Sequence, residues 1–357
     1  MGRLTIFYIV GGHRKVKKIK TVDAVGHTLS HDITQIIKDV KAGVLFKKGH
    51  IIQEGDIEKL LSVGKDHLYI YEMDENRMHE NEAAEILYDA CAGSSNAMAA
   101  TAVHEGKIEV IARARGLLKV DTQRLYQINA LGNLIIATRH NNTVIKKGDK
   151  IAGTRIIPLV IEKAKMSAVT TLSTGVPLLE IKAFHTFKVG VITTGNEIYH
   201  GRIQDTFTPV IAEKLADYDL QIDLHKVVPD DVEIIKQTIA EFREQGAELI
   251  LCTGGMSVDP DDVTPTAIKA AGAEILTYGA PVLPGSMLLI GYFDDGTPVL
   301  GLPGCVMYAS TTSFDLILPR ILAQDTITMM EIAQLGHGGL CLKCQACTFP
   351  HCEFGKS

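Results

Sequence analysis

Four short stretches in the second half of the chain put small residues and acids where apolar runs end. Val189-Gly190-Val191-Ile192 runs into Thr193-Thr194-Gly195-Asn196-Glu197, and a second run ends at Asp230-Asp231. Leu249-Ile250-Leu251-Cys252 leads into Thr253-Gly254-Gly255-Met256-Ser257-Val258-Asp259-Pro260-Asp261-Asp262, and Pro298-Val299-Leu300 leads into Gly301-Leu302-Pro303-Gly304. Glycine lets a backbone come close to a ligand, and N–H groups at a helix start hold anions. Ser257 adds a hydroxyl donor. The carboxylates of Glu197, Asp230, Asp259, Asp261 and Asp262 would repel an anion unless a cation such as magnesium bridged the two. Each acid also has a plain structural role open to it. Asp262 as a helix N-cap is worth about 1 kcal/mol, and Asp230-Asp231 stands where a helix start favours acids.

The second cluster is sulfur. Of seven cysteines, Cys91, Cys252 and Cys305 are scattered, which is no disulfide framework. Cys305 reads as a small buried residue rather than a nucleophile. Cys341, Cys344, Cys347 and Cys352 crowd into the tail as C-x2-C-x2-C-x4-C. One extra residue separates this from the ferredoxin run C-x2-C-x2-C-x3-C-P. Four such thiolates hold an iron–sulfur cluster or a zinc ion, with His337 and His351 as substitute ligands. The other reading is a reduced tail without metal.

These residues need elements to position them. Residues 186–325 alternate strand and helix: a strand at 188–193, a helix from near Asp205 to Tyr218, a strand at 221–228 and a helix from Val232 to Gln245. In that helix Ile234, Ile235, Ile239 and Phe242 fall at helical intervals. A strand at 247–252, a helix from near Asp262, strands at 274–278, 287–292 and 297–301, and a closing helix over 306–322 complete the unit. The pattern predicts an α/β fold, a mostly parallel sheet with helices on both faces and its loops at the strands' carboxyl ends. Residues 1–75 read as a small α+β domain. It has a strand at 4–10, a helix-like pattern opening at Ser30-His31-Asp32-Ile33, a helix capped by Asp56, and a strand at 68–71. Residues 76–185 read as β-rich. A helix at 80–90 precedes apolar runs at 107–112, 116–120, 134–138 and 144–157, with turns at Asn141-Asn142 and Lys147-Gly148-Asp149. Residues 326–357 are the cysteine-rich tail.

A chain of 357 residues suggests two or three domains, and a net charge of -6 argues against a nucleic-acid partner. The basic run Arg14, Lys15, Lys17, Lys18 and Lys20 reads as a solvated strand face. No apolar run reaches the roughly 18 residues that span a bilayer. Positive charges follow residues 4–10, whereas a signal peptide carries them in front. The expectation is a soluble cytoplasmic protein with no membrane partner.

In their order and spacing, the four loops resemble the molybdopterin-binding fold of the MoaB/Mog type, specifically the third domain of MoeA and the gephyrin E domain. Thr193-Thr194-Gly195-Asn196-Glu197 resembles the family's S/T-T-G-D-E turn, and Asp230-Asp231 its D-D pair. Gly254 to Asp262 resembles G-G-x-S-x-G-x-x-D, and Gly301-Leu302-Pro303-Gly304 its G-L-P-G-N-P loop. The family's enzymes are molybdopterin molybdenumtransferases, which insert molybdate into adenylated molybdopterin and release AMP. The resemblance implies adenylated molybdopterin and molybdate as substrates with Mg2+, and a homo-oligomer. By position, Glu197, Asp230 and Asp262 match acids of the molybdate step. Thr193, Thr194, Gly195, Asn196, Gly254, Gly255, Ser257, Gly301, Pro303 and Gly304 match the cofactor cradle.

The chain also departs from the family. Asn196 stands for an Asp, Asp259 for a Gly, and Cys305-Val306 for Asn-Pro. Leu283-Pro284-Gly285-Ser286-Met287 replaces K-P-G-K-P, whose lysines contact phosphate. The S-x-M-D-G-Y segment is absent. Before residue 185, only Ala24-Val25-Gly26-His27 to Asp32-Ile33 resembles the family's early A-x-G-x-x-L-x-x-D-I. Three readings follow: a transferase, a non-catalytic protein that binds or delivers the cofactor to a molybdenum enzyme, and an interaction scaffold whose cysteine tail docks a redox partner.

Overall fold

The computed structural model describes residues 16–35, 43–71, 75–257 and 262–356. The expected strand at 4–10, and Arg14, Lys15, Val258, Asp259 and Asp261, lie outside the described residues. Among those described, no helix is long and apolar enough to cross a membrane.

Residues 16–71 gather around Ala24, Leu29, Ile33, Ile52, Leu60 and Leu68. Val16–Lys20 and Thr28–Leu29 flank His67–Tyr71 in an antiparallel sheet, with Lys17, Lys18 and Lys20 exposed. Instead of the helix expected from Ser30, Ile33–Gln35 forms a strand paired with Gly43–Phe46. Ile33 is buried while Thr34 is exposed, the two-residue alternation of a pleated strand. Helix Ile57–Ser62 forms, but the Asp56 side chain does not cap it. Its carboxylate accepts the Gln53 N–H at 3.0 Å and pairs with His50 Nε2 at 2.7 Å.

The middle unit carries a four-stranded and a three-stranded antiparallel sheet around one core. Strands Lys107–Ala112, Gly116–Val120, Leu134–Thr138 and Lys150–Ile156 stand where the apolar runs predict them. Both expected turns form: Asn142 has φ 60° and Gly148 φ 91°. Helix Glu80–Ala92 is foreseen, whereas Thr122–Ala130 and Lys163–Ser173 are not. Each hides in the sequence because it buries only two residues, Leu125 with Ile128 and Met166 with Val169, too few to show a period.

The third unit is a six-stranded sheet. Its main elements are β1 (Val189–Thr194), α1 (Phe207–Ala216), β2 (Ile222–Val228), α2 (Val232–Glu244), β3 (Leu249–Thr253), α3 (Thr264–Ala270), β4 (Glu274–Tyr278), β5 (Leu289–Tyr292), β6 (Pro298–Leu302), α4 (Ser313–Leu322) and α5 (Met329–Gln334), with one short helical turn, Asn196–Tyr199, after β1. The strand order is β2-β1-β3-β6-β5-β4. All strands run parallel except β5, which is antiparallel to both its neighbours. β1, β3 and β6 are buried along their whole length, which is why they read as unbroken apolar runs. Val191, Leu251 and Leu300 face α1 and α4, while Ile192, Ile250 and Val299 face α2 and α3. The closing helix expected over 306–322 is split. Gly304–Met307 makes one 3-10 turn, and α4 starts at Ser313. A capping box sets that start: the Thr312 hydroxyl accepts the Phe314 N–H, and Asp315 accepts the Thr312 N–H at 2.7 Å.

Two clusters join the middle and third units. Arg115 lies over Tyr218 and Phe184, 5.5 and 5.8 Å from their centroids, and pairs with Asp219 at 3.0 Å. Asp325, buried just after α4, accepts from Lys119 at 2.7 Å, Lys182 at 2.9 Å and Arg320 Nε at 2.8 Å. Burial alone would raise the Asp325 carboxyl, but these donors outweigh it and hold the group below the ordinary carboxylate range.

Candidate functional site

The carboxyl ends of β1, β2, β3 and β6 lie side by side, because Thr194 pairs with Val228, Thr193 with Thr253, and Thr253 with Leu302. Two glycines then press the loops together. A Cβ on Gly254 (φ 86°) would stand 2.2 Å from the Thr194 carbonyl oxygen. One on Gly255 (φ 55°) would stand 2.8 Å from Thr264 Oγ1, 3.3 Å from Thr194 Oγ1 and 3.6 Å from Asp230 Oδ1. No other residue tolerates both the backbone angle and the approach. The buried hydroxyls of Thr194 and Thr264 lie 3.3 Å apart, and Thr264 Oγ1 donates to the Gly254 carbonyl at 2.9 Å.

Asn196 and Asp230 clasp the first two loops. The Asn196 N–H donates to Asp230 Oδ2 at 2.8 Å, and the Asp230 N–H donates to Asn196 Oδ1 at 3.4 Å. An amide at 196 accepts that bond without setting a second negative charge beside Asp230. The other Asp230 oxygen, Oδ1, is buried with no hydrogen-bond partner among the described residues, as is Thr253 Oγ1 at the end of β3. Asp231 does different work: it caps α2, accepting the Ile234 N–H at 3.0 Å.

Asp262 is not a cap. Its Oδ2 accepts the N–H of exposed Ser257 at 3.0 Å and ties the two ends of that loop together. Glu197 is exposed and its Oε2 bends back to 3.8 Å from a Cβ built on Gly195. A Cβ on Gly301 would stand 2.5 Å from the Met256 methyl, so the fourth loop is packed against the third. Pro303 is buried, and Gly304 is exposed with open space around it.

Thr193 does not join this group. Adjacent strand residues face opposite ways, and its hydroxyl sits on the α1 side of the sheet, 3.1 Å from His225 Nε2 and 3.3 Å from Asp205 Oδ2. Asp205 also caps the start of α1, accepting the Phe207 and Thr208 N–H groups at 2.8 and 3.1 Å. Burial works to raise its carboxyl, and the Thr208 and Phe207 donors overcome that and lower it.

Two residues of the site escape sequence reasoning. Thr264 had a signal, since a hydroxyl followed by proline marks a helix start. Tyr278 had none. Its hydroxyl donates to the Met256 carbonyl at 3.1 Å and the Ser257 carbonyl at 3.3 Å, from the far edge strand β4. Burial and the nearby Asp262 carboxylate raise its phenol above the usual range. Tyr278→Phe is expected to cost about 1 kcal/mol of stability. Amide exchange at Ser257 should quicken, and unchanged exchange there would contradict this brace.

The family's basic loop has another use here. A Cβ on Gly285 would stand 2.6 Å from the Ser313 N, and Ser313 Oγ donates to the Gly285 carbonyl at 2.6 Å. Leu283 exchanges bonds with the tail, donating to the Gly339 carbonyl and accepting from the Cys341 N–H, both at 2.8 Å. The tail leaves Cys344 and Cys347 exposed and half-buries Cys341 and Cys352. Among the described residues no group of three or more His, Cys, Asp or Glu side chains is drawn into a metal-holding cluster.

Residues 190–323 match the model of a probable molybdopterin binding domain, and residues 18–72 match a domain of unknown function, DUF8806. A molybdopterin molybdenumtransferase of Staphylococcus epidermidis is 24% identical over 83% of this chain and 69% of its own length. Gephyrin of Dictyostelium discoideum is 34% identical over 37% of this chain and 21% of gephyrin. The solved molybdopterin biosynthesis enzyme MoaB of Thermus thermophilus is 26% identical, covering 38% of this chain and 92% of that one, with a TM-score of 0.34. The chain spans less than half the length of several of the curated relatives it matches. Residues 190–323 are thus similar to molybdopterin-binding domains, in a chain that resembles the molybdopterin molybdenumtransferases.

Proposed function

We propose that this chain acts in molybdenum cofactor biosynthesis. It binds adenylated molybdopterin at the shared carboxyl edge of β1, β2, β3 and β6, inserts molybdate and releases AMP. The observation that supports this best is the convergence of Thr194, Asp230, Gly254 and Gly255 on one spot, with Asp230 Oδ1 left without a partner among the described residues. Backbone N–H groups of the glycine loops bind the phosphates, and Ser257 adds a hydroxyl. A buried carboxylate oxygen with no donor fits a hard divalent cation. Asp230 would hold magnesium through Oδ1, and the ion when bound neutralises phosphate charge; Glu197 and Asp262 are the further acids of these loops. Asn196 orients Asp230, and Tyr278 holds the Met256–Ser257 backbone against the edge.

The test is AMP release from adenylated molybdopterin by purified protein, with and without molybdate and magnesium. The expected result is release that depends on both. Asp230→Asn is expected to lower it by on the order of 100-fold, the scale for losing one group that stabilises transition-state charge. Binding without release favours the second reading, a protein that carries the cofactor to a molybdenum enzyme. That reading draws on one observation: the Leu283–Ser286 stretch has no lysine and is packed on Ser313 and the tail.

A further inference from the structure

We propose that Cys341, Cys344, Cys347 and Cys352 hold an iron–sulfur cluster, seated against the N-terminal end of α4. Residues 336–356 contain no helix, and their one strand contact is the Leu283–Leu340 bridge. Even so, the segment is clamped at both ends to one core. The Cys341 N–H is bonded to the Leu283 carbonyl, and Phe354 is buried with Phe349 edge-on to it at 6.2 Å. A Cβ on Gly355 would stand 2.3 Å from Leu316 Cδ2, so the end of the segment is pressed onto α4.

Between these clamps lie all four thiols. The first and last, Cys341 and Cys352, pack on the domain core. Cys347 Sγ lies 3.5 Å from Thr311 Oγ1, one residue before the α4 cap. Cys344 is exposed. A loop with so little apolar burial of its own is the kind of segment that metals staple.

The spacing chooses the metal. Structural zinc sites use two ligand pairs separated by a spacer of roughly 12–20 residues. Here no such spacer exists: the steps are three, three and five residues, and the first two match the C-x2-C-x2-C stretch of the ferredoxin run. The site also has a neighbour. Cys347 and Phe349 line a cleft of about 540 Å³ together with Val306 and Met307, the turn that follows β6. The cluster therefore stands beside the strand end that carries Gly301 and Gly304.

The full chain, purified and reconstituted under argon with iron and sulfide, is expected to absorb broadly in the visible. It should carry about four iron and four labile sulfides. The double variant Cys344→Ser, Cys347→Ser changes only exposed thiols and should lose the iron while its circular dichroism is unchanged. Cys305→Ser, outside the tail, should keep it. Zinc bound in place of iron, no metal after reconstitution, or iron retained by the double variant would each overturn the proposal. Iron content is read separately from pterin affinity, so the result stands apart from the fate of the binding reading.

Discussion

Gly254→Ala is expected to abolish binding of adenylated molybdopterin and to lower stability by about 2–5 kcal/mol, the sum of overpacking and left-handed backbone strain. The methyl would meet the Thr194 carbonyl at 2.2 Å, and a backbone atom within a fully buried strand has nowhere to move. The loop must withdraw instead. It then takes Gly255 away from Asp230 Oδ1 and Thr264, and the anion loses two sets of donors at once. Gly272→Ala is the control, because Gly272 has φ 96° but nothing within 4 Å of a Cβ. It should cost only the backbone strain, about 1–2 kcal/mol, and leave affinity unchanged. Titration calorimetry and thermal melts separate the two effects. Wild-type affinity in Gly254→Ala would mean that these loops do not form one cradle.

Asp325→Ala is expected to cost about 3–5 kcal/mol, because it leaves Lys119, Lys182 and Arg320 without their shared acceptor at the joint between units. The Asp325 side chain is only 4% exposed, so water cannot take over that role. The pH dependence has a definite sign. The folded carboxyl lies below its ordinary value, so its contribution is fully present above the unfolded pKa of about 3.9 and fades as pH falls through the folded value. Denaturant midpoints of wild type and Asp325→Ala should therefore stand furthest apart near neutrality and converge in acid. A constant gap down to pH 3 would show that Asp325 is not the group responsible.

Much of the third unit was legible in the chain. β1, β3 and β6 are buried on both faces, and double burial leaves a continuous apolar run that ends abruptly in Gly, Thr or Asp. Helix α2 shows its period through Ile235, Ile239 and Phe242. The helix expected at Ser30 failed because a short polar stretch carries no period, and pairing with Gly43–Phe46 decided its form.

The sequence by itself determined the α/β alternation and the four small-residue strand ends, because burial and steric freedom are properties of single residues and their near neighbours. Only the tertiary structure decided which of two identical acids caps a helix and which enters the site, Asp231 or Asp230, and which of two threonines faces the cradle, Thr194 or Thr193. It also brought in Tyr278 and put the Leu283–Ser286 loop under the tail. Those assignments depend on strand register and on partners up to about 70 positions away, such as Thr264 for Thr194. Adjacent residues of like chemistry are told apart only by what the fold sets opposite them.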